Sequence, residues 1–309
     1  MQGTVYKSTG SWYTVKSDAG EFHDCRIKGK FRIQGIKSTN PIAVGDRVRF
    51  VLDATGDETV GQIEEILPRK NYIVRKAVKL SKQTHIIAAN IDQVFLLITL
   101  EDPRTLTVFI DRFLATAEAY DIPCILLFNK IDAYGPGARL EWQELDALYR
   151  DIGYDCLGIS AKKGTGVDQV IDRMKGKTSM FVGHSGVGKS TLVNRIAPEL
   201  ELRTTEVSEL YRQGQHTTTF AEMYDLPFEG RIIDTPGIKG FGLVDMEPEE
   251  IGDYFPEFFA LKSECKFNNC LHLDEPQCAV KKALEEGRVS ESRYHSYVQM
   301  ITGEDEPYR

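Results

Sequence analysis

The sequence predicts a multidomain protein with a small N-terminal β-barrel, a central α/β domain and a mostly helical C-terminal domain. Short runs of alternating apolar and polar residues, separated by close-set turns, fill residues 1–75. Longer apolar runs then alternate with segments of helical period across residues 76–245. An acidic region of helical period with clustered cysteines occupies residues 246–309. The 309 residues are enough for two or three domains.

The N-terminal region is predicted to form a barrel because its strands are short and its turns are rich in glycine and charged residues. Five strands within about 70 residues fit the size of an oligonucleotide/oligosaccharide-binding (OB) barrel. The predicted strands are Gly3–Lys7, Trp12–Lys16, Glu21–Arg26, Asp46–Leu52 and Gly61–Ile66.

Charge is distributed unevenly along the chain. The first 80 residues carry 14 Lys and Arg against 9 Asp and Glu, whereas the remainder carries 24 against 37. This asymmetry is typical of a module that faces a polyanion such as RNA, although a solvated basic face explains it equally well. The sequence has no apolar run long enough to span a bilayer and no signal pattern at its N-terminus. We therefore expect a cytoplasmic protein that does not bind membranes.

The central region has the pattern of a parallel sheet covered by helices. The apolar runs Gln93–Thr99 and Cys124–Phe128 predict buried strands, and a third strand is expected to end at Ile159. In such sheets, ligands bind at the carboxyl ends of the strands. The remaining predicted elements are helices at Val108–Tyr120, Trp142–Ile152 and from about Val167, a strand at Ser179–Val182 and a helix that Gly188 opens.

Residues Gly183–Ser190 match the phosphate-loop pattern GxxxxGK[ST] and lie between a predicted strand and a predicted helix. Backbone N–H groups of such a loop converge on phosphates, and the helix N-terminus adds favourable partial charge. Lys189 is expected to reach the β- and γ-phosphates, and Ser190 to bind Mg²⁺. The predicted contacts are Gly183, His184, Ser185, Gly186, Val187, Gly188, Lys189, Ser190 and Thr191.

The base is predicted to be guanine from the tetrapeptide Asn129-Lys130-Ile131-Asp132, which follows a buried strand. The Asp132 carboxylate can accept hydrogen bonds from both N1–H and N2–H of guanine, a pair of donors that adenine lacks. Asn129 can bind the base and tie its loop to the phosphate loop, while the Lys130 stem packs over the ring. Ser160, Ala161 and Lys162 fit the accompanying loop, whose backbone N–H approaches the guanine O6.

Two further segments have the pattern of nucleotide-dependent switches. Asp234 ends the predicted apolar strand Arg231–Asp234 and is placed to hold Mg²⁺ through water, while the Gly237 N–H can contact the γ-phosphate. One threonine of the run 217–219, for which we favour Thr218, would complete the Mg²⁺ shell; the pattern does not distinguish among the three.

The source of catalytic assistance differs from that in Ras-like enzymes, in which a Gln soon after this glycine orients the attacking water. Here Ile238 follows the glycine and can neither orient nor deprotonate a water molecule. We hypothesise that His216, beside the threonine run, positions the water; a structural or substrate-contacting role is the alternative. The predicted catalytic residues are therefore Lys189, Thr218 and His216.

The last cluster contains Cys265, Cys270, His272 and Cys278, all within 14 residues. Three thiolates and one imidazole make a closed tetrahedral set for Zn²⁺, so a structural ion is expected rather than a catalytic one. The alternative is a group of buried cysteines without a metal.

The order of these motifs places base recognition before the phosphate loop and both switches after it, as in a circularly permuted GTPase. In this order and in further segments, the sequence resembles the RsgA/YjeQ family, the bacterial small-ribosomal-subunit-dependent GTPases. Those segments are Ala88–Gln93, Gly214–Thr219 and the Cys/His set with Glu275-Pro276. The resemblance implies an OB domain (1–75), a permuted GTPase domain (76–245) and a zinc domain (246–309).

The resemblance further implies hydrolysis of GTP to GDP and phosphate, stimulated by the small (30S) subunit during its late maturation, with 16S rRNA as the contacted surface. We expect a monomer with one Zn²⁺, and Mg²⁺ bound with GTP. One alternative is a non-catalytic RNA-binding adaptor that uses nucleotide only for stability, and another is a permuted GTPase of large-subunit assembly. A GTPase assay with each subunit separates the three.

Overall fold

The computed structural model describes residues 1–27, 41–53, 60–76, 84–200, 221–234 and 246–303. Contacts divide the chain into two compact units. Unit 1 comprises Met1–Val94, Asp168–Val182 and Val193–Gly240, and unit 2 comprises Phe95–Val167, Gly183–Leu192 and Phe241–Arg309. Within the described ranges, no helix is both long and apolar enough to cross a membrane.

The strands of the described residues are numbered in chain order. They are β1 (Gln2–Ser8), β2 (Tyr13–Ser17), β3 (Phe22–Ile27), β4 (Arg47–Asp53), β5 (Val60–Ile66), β6 (Tyr72–Lys76), β7 (Thr84–Ala89), β8 (Gln93–Ile98), β9 (Cys124–Phe128), β10 (Asp155–Gly158), β11 (Thr178–Val182), β12 (Glu222–Asp225) and β13 (Arg231–Asp234). The helices are α1 (Thr107–Ala119), α2 (Pro136–Ile152), α3 (Val167–Met174), α4 (Lys189–Ile196), α5 (Pro248–Ile251), α6 (Pro256–Lys262), α7 (Ala279–Glu285) and α8 (Glu291–Thr302).

Unit 1 begins with a closed five-stranded barrel, which confirms the predicted OB architecture. Strand β1 pairs antiparallel with β2 and β4, β3 pairs parallel with β5, and β4 closes the barrel against β5. Alternate residues of these strands point inward, as the pleat requires. Together with Ile42, which precedes β4, they form a buried core of Val5, Tyr13, Val15, Cys25, Val48, Phe50 and Ile63.

The rest of unit 1 includes the strand that precedes the phosphate loop in the sequence and the hairpin that ends at Asp234. Strand β11 pairs in parallel with β13, and β12 forms an antiparallel hairpin with β13. The barrel strand β1 pairs with the other edge of β12, so that Lys7 lies opposite Glu222. Strands β6 and β7 form a separate two-stranded sheet.

In unit 2, strands β8, β9 and β10 are neighbours, and β9 and β10 run parallel. All five residues of β9 are buried, as expected for a strand covered on both faces. Helix α8 of the C-terminal region packs against α1. A buried ion-pair network joins them, because Arg293 on α8 donates to Asp111 on α1 at 2.8 Å and to Glu257 on α6 at 2.7 Å. Arg293 is 1% exposed, and Asp111 is fully buried.

Most predicted elements lie within one or two residues of the observed ones, but α2 begins at Pro136, six residues before the predicted Trp142. Proline is favourable at a first helical turn, since it needs no N–H partner there and its φ is already helical. The pattern does not predict β6, β7 or β12, which are short strands of four to six residues.

Candidate nucleotide site and metal centre

The phosphate-loop sequence lies between the end of β11 at Val182 and the start of α4 at Lys189. Two of its glycines have left-handed backbone angles, with φ of 85° at Gly186 and 97° at Gly188. A Cβ at Gly188 would also overlap the side-chain nitrogen of Asn129. Glycine at 188 is therefore required both by the backbone conformation and by the close approach of Asn129.

Asn129 connects all three nucleotide-recognition motifs of unit 2. Its Nδ2 donates to the carbonyl oxygen of Val187 in the phosphate loop at 2.7 Å. Its Oδ1 accepts from the backbone N–H of Ala161 at 2.9 Å, in the Ser160-Ala161-Lys162 loop. The side chain is 1% exposed, so both bonds are shielded from water. One buried amide thus fixes the base loop, the accompanying loop and the phosphate loop relative to one another.

Lys130 and Asp132 extend from the same loop. Lys130 has φ of 64°, and its Nζ donates to the carbonyl oxygen of Asp102 at 2.5 Å. A hydrogen bond from Ser160 is the main cause that lowers the pKa of Asp132, and the nearby Lys163 ammonium acts in the same direction. The Asp132 side chain is 18% exposed and ionised at neutral pH. An acceptor-only carboxylate held in this way suits a pair of N–H donors.

The segment between β8 and α1 also contacts the phosphate loop, and sequence analysis did not find it. The Nε2 of His184 lies 2.6 Å from the Thr105 hydroxyl, while its Nδ1 lies 3.2 Å from the carbonyl oxygen of Ser185. Because a carbonyl only accepts, Nδ1 carries the proton and Nε2 accepts from Thr105. Burial, and secondarily the Lys130 charge, lower the pKa of His184, so the ring is neutral at neutral pH. A cis peptide bond joins Asp102 to Pro103 in this segment.

The remaining predicted residues are only partly covered by the structure. Lys189 and Ser190 occupy the first turn of α4, half-buried, and Thr191 beside them is exposed. Asp234 is the last residue of β13 and is half-buried, opposite Glu222 of β12. The other predicted switch and catalytic residues lie outside the described residues: His216, Thr217, Thr218, Thr219 and Gly237.

The four predicted metal ligands converge in the C-terminal region. The ligand atoms of Cys265, Cys270, His272 and Cys278 all lie within 4.8 Å of one another. The Nδ1 of His272 lies 3.3 Å from the Cys278 sulfur and 3.7 Å from the Cys265 sulfur. Tetrahedral bonds of roughly 2.0–2.3 Å to nitrogen and sulfur imply ligand separations of about 3.3–3.8 Å. The two His272 distances therefore fit one tetrahedral soft metal ion that binds through Nδ1.

The loop that carries these ligands is fixed by its neighbours. The Glu275 carboxylate accepts from the backbone N–H groups of Leu271 and Leu273 at 2.7 and 2.9 Å. Burial raises the pKa of Glu275, but these bonds outweigh it and hold the pKa below its usual value. Two hydroxyls of α8, from Tyr294 and Tyr297, donate to the carbonyl oxygens of His272 and Leu271, both at 2.7 Å. Hydrogen bonds to backbone carbonyls of the metal loop thus hold this loop against α8.

Comparison with known proteins agrees with this architecture. The sequence profile of the RsgA GTPase family matches residues 66–244, and that of the RsgA N-terminal domain matches residues 2–60. The small ribosomal subunit biogenesis GTPase RsgA of Christiangramia forsetii is 66% identical, with 100% of this chain and 98% of the relative covered. The protein of the same name from Bacteroides fragilis is 54% identical, with 99% and 98% covered.

Two solved structures are also similar over nearly their whole length. YjeQ from Thermotoga maritima has a TM-score of 0.79 and 38% identity, with 98% of this chain and 97% of that chain covered. YloQ, a circularly permuted GTPase, has a TM-score of 0.74 and 31% identity, with 99% and 96% covered. The rotated order of motifs is therefore shared with proteins of known structure.

Proposed function

The chain belongs to the RsgA GTPase family, and on that premise we propose that it hydrolyses GTP to GDP and phosphate during biogenesis of the small ribosomal subunit. The observation that carries this proposal is the placement of Asn129, whose amide joins the base loop to the phosphate loop. Such a tie fixes the distance between a bound base and its phosphates, which a general RNA-binding adaptor does not need.

We propose that guanine binds at Asp132, with Lys130 packed over the ring and Ala161 N–H directed at O6. The ionised state of Asp132 supports this assignment, because recognition of N1–H and N2–H needs two acceptors. The left-handed glycines of the phosphate loop support phosphate binding, since they turn backbone N–H groups toward one point. The proposed phosphate contacts are residues 183–191 together with Asp234 and Gly237.

Catalysis is proposed to rest on charge stabilisation and placement of water. Lys189 would neutralise the developing charge on the β- and γ-phosphates, and bound Mg²⁺ supplies further neutralisation there. Oxygen ligands suit that ion, and Ser190, Asp234 and Thr218 are the residues proposed to hold it. His216 is proposed to orient the attacking water, because Ile238 cannot. An unchanged subunit-stimulated rate in His216→Ala would contradict this role.

The Cys/His cluster is proposed to hold one structural Zn²⁺. All four ligands come from protein, so no position remains open for a substrate. The surrounding loop has left-handed residues at His272 and Gln277, with φ of 58° and 60°. A metal that binds four side chains would stabilise these unfavourable backbone angles.

The small (30S) subunit is proposed as the partner, with 16S rRNA contacted by the N-terminal barrel. The basic charge of this region supports the assignment. On its surface, the Arg26 guanidinium lies 3.7 Å from the centre of the Trp12 ring, and Trp12 is 38% exposed. Stacked cationic and aromatic groups of this kind bind single-stranded bases.

We further propose that the protein is a cytoplasmic monomer; light scattering of the free protein tests the oligomeric state.

The division into an OB domain (1–75), a permuted GTPase domain (76–245) and a zinc domain (246–309) is proposed as the functional organisation. The five barrel strands lie between Gln2 and Ile66, and the metal ligands lie beyond residue 246, which supports these boundaries. Limited proteolysis of the full chain should cut near residues 75 and 245 if they are correct.

The proposal is tested by GTP turnover measured with purified small subunits, with large subunits and without ribosomal particles. We expect slow basal turnover that only small subunits stimulate. Stimulation by large subunits would instead identify a large-subunit factor. No hydrolysis under any condition, despite nucleotide binding, would identify a non-catalytic adaptor.

A further inference from the structure

The hairpin of β12 and β13 lies in the sequence between the two proposed switches. The threonines 217–219 precede β12, which begins at Glu222, and Asp234 ends β13. The antiparallel register places Glu222 directly opposite Asp234. A displacement of β12 along or across the sheet would therefore move the proposed Mg²⁺ residue Asp234 through its cross-strand partner.

The N-terminal barrel contributes the next strand to this hairpin. Strand β1 pairs antiparallel with β12, and Lys7 lies opposite Glu222. Their side chains also form an ion pair, with Nζ and Oε2 3.3 Å apart. Lys7, Glu222 and Asp234 thus stand in one row across three adjacent strands, the first of which belongs to the barrel.

At the other end of β12, Asp225 is held from three strands at once. The Tyr6 hydroxyl on β1 donates to its Oδ1 at 2.6 Å, and the Lys16 ammonium on β2 donates to its Oδ2 at 2.5 Å. Arg231, its register partner on β13, lies 3.6 Å from Oδ1. We call these four residues, Tyr6, Lys16, Asp225 and Arg231, the Asp225 clamp. It joins two barrel strands to both strands of the hairpin.

The clamp is accessible to a polyanion bound on the barrel. Lys16 retains 27% side-chain exposure, and its ammonium lies 5.4 Å from the centre of the Phe22 ring. Phe22 is 55% exposed, and it lines a cavity of about 220 Å³ together with Tyr6, Asp225 and Tyr224. A phosphate oxygen close to Lys16 would compete with Asp225 for the same ammonium. RNA on this surface would therefore weaken one contact of the clamp without unfolding the barrel.

We propose that the Asp225 clamp is a positioning device which couples RNA bound on the barrel to the placement of the β12–β13 hairpin, and hence to the rate of GTP hydrolysis. Asp225 is not among the proposed nucleotide contacts; it would act through its pairing with β13, the strand that ends in Asp234. This inference rests on the proposed function and adds the route by which the small subunit stimulates turnover. The coupled ligand is RNA backbone phosphate.

The test uses the full-length protein and measures kcat and KM for GTP with and without purified small subunits. Asp225→Asn keeps the shape of the side chain but removes the charge that binds Lys16 and Arg231. Tyr6→Phe removes only the hydroxyl and preserves the packed ring. The matched control is Asp18→Asn, because Asp18 also pairs with a cation of the barrel, Arg47 at 2.7 Å.

We expect both clamp variants to keep KM and small-subunit affinity within about twofold. Because a weakened clamp mimics the effect of bound RNA, basal kcat should rise and the fold stimulation by small subunits should fall by roughly fivefold or more, the lower range of allosteric coupling. Asp18→Asn should be stimulated like the unmodified protein. Cosedimentation with small subunits measures the affinity separately from turnover. A merely structural role would instead lower the melting temperature and the basal rate together.

Four outcomes would overturn the inference. Full stimulation of both clamp variants would show that the clamp does not couple the barrel to hydrolysis. An equal loss in Asp18→Asn would show a general effect of barrel charge. If the clamp variants lose small-subunit affinity in proportion to their loss of stimulation, the clamp residues serve to bind the subunit rather than to couple it to hydrolysis. If small subunits do not stimulate the unmodified protein, the proposed function fails and the inference fails with it. Turnover of the unmodified protein, measured in the same experiment, distinguishes this outcome from the others.

Discussion

Asn129→Asp tests whether the tie between base loop and phosphate loop matters for nucleotide binding. The substitution keeps an oxygen to accept from Ala161 N–H but replaces the donor to the Val187 carbonyl with a second oxygen. An unsatisfied buried polar group costs about 1–3 kcal/mol. At 1.4 kcal/mol per factor of ten, GTP affinity should fall about 5- to 150-fold. The cost should appear as a loss of GTP affinity. In the nucleotide-free variant the base loop and the phosphate loop can separate, so that water hydrates the unpaired oxygens.

A fluorescent GTP analogue titrated into the purified protein measures this affinity, and thermal unfolding measures stability in parallel. Asn71→Asp is a matched control, since Asn71 is also buried and bonds the backbone of Ile91 in both directions at 2.8 Å. The control should lose stability but keep its GTP affinity. If Asn129→Asp binds GTP like the unmodified protein while losing as much stability as the control, the tie is structural only and the reasoning is refuted.

Three other substitutions have expected outcomes. Arg293→Met should lower the free energy of unfolding by about 3–5 kcal/mol in a denaturant titration, because the Asp111 carboxylate is then buried without its counter-charge. Cys278→Ser should reduce the zinc content measured by mass spectrometry below one equivalent and lower the melting temperature. Ser160→Ala should raise the pKa of Asp132, whose ionised form persists above that pKa and is lost as pH falls through it. GTP affinity of the variant should therefore decline at a higher pH than that of the unmodified protein.

Two of these substitutions have a counterpart that should leave the measured quantity nearly unchanged. Arg288→Met removes an exposed arginine of the same region, which pairs with the nearby Glu286, and should change the free energy of unfolding by less than about 1 kcal/mol. Cys156→Ser removes a cysteine outside the cluster and should keep the zinc content. Identical pH profiles of GTP affinity for Ser160→Ala and the unmodified protein would contradict the assigned cause of the Asp132 shift.

The sequence by itself determined the features that depend on neighbours along the chain. Strand β9 and strand β13 have the bounds that their apolar runs predict, Cys124–Phe128 and Arg231–Asp234. The phosphate loop was found because its glycines and lysine lie within eight consecutive residues, between a strand and a helix. The metal ligands were found for the same reason, since the cluster closes within a short loop. Local backbone preferences and short-range periodicity encode all of these.

Only the tertiary structure decided the contacts that join distant segments for which the sequence has no motif. Arg293 meets Asp111 across 182 residues, and Tyr6 meets Asp225 across 219. The hydrophobic period of a segment indicates which of its side chains are buried and which are exposed. It does not indicate which distant residue a side chain contacts, because packing and the pairing of buried charges select that partner. The sequence therefore predicts the barrel and the segment of the β12–β13 hairpin as separate regions. Their junction at Asp225 exists only because strand β1 pairs with strand β12.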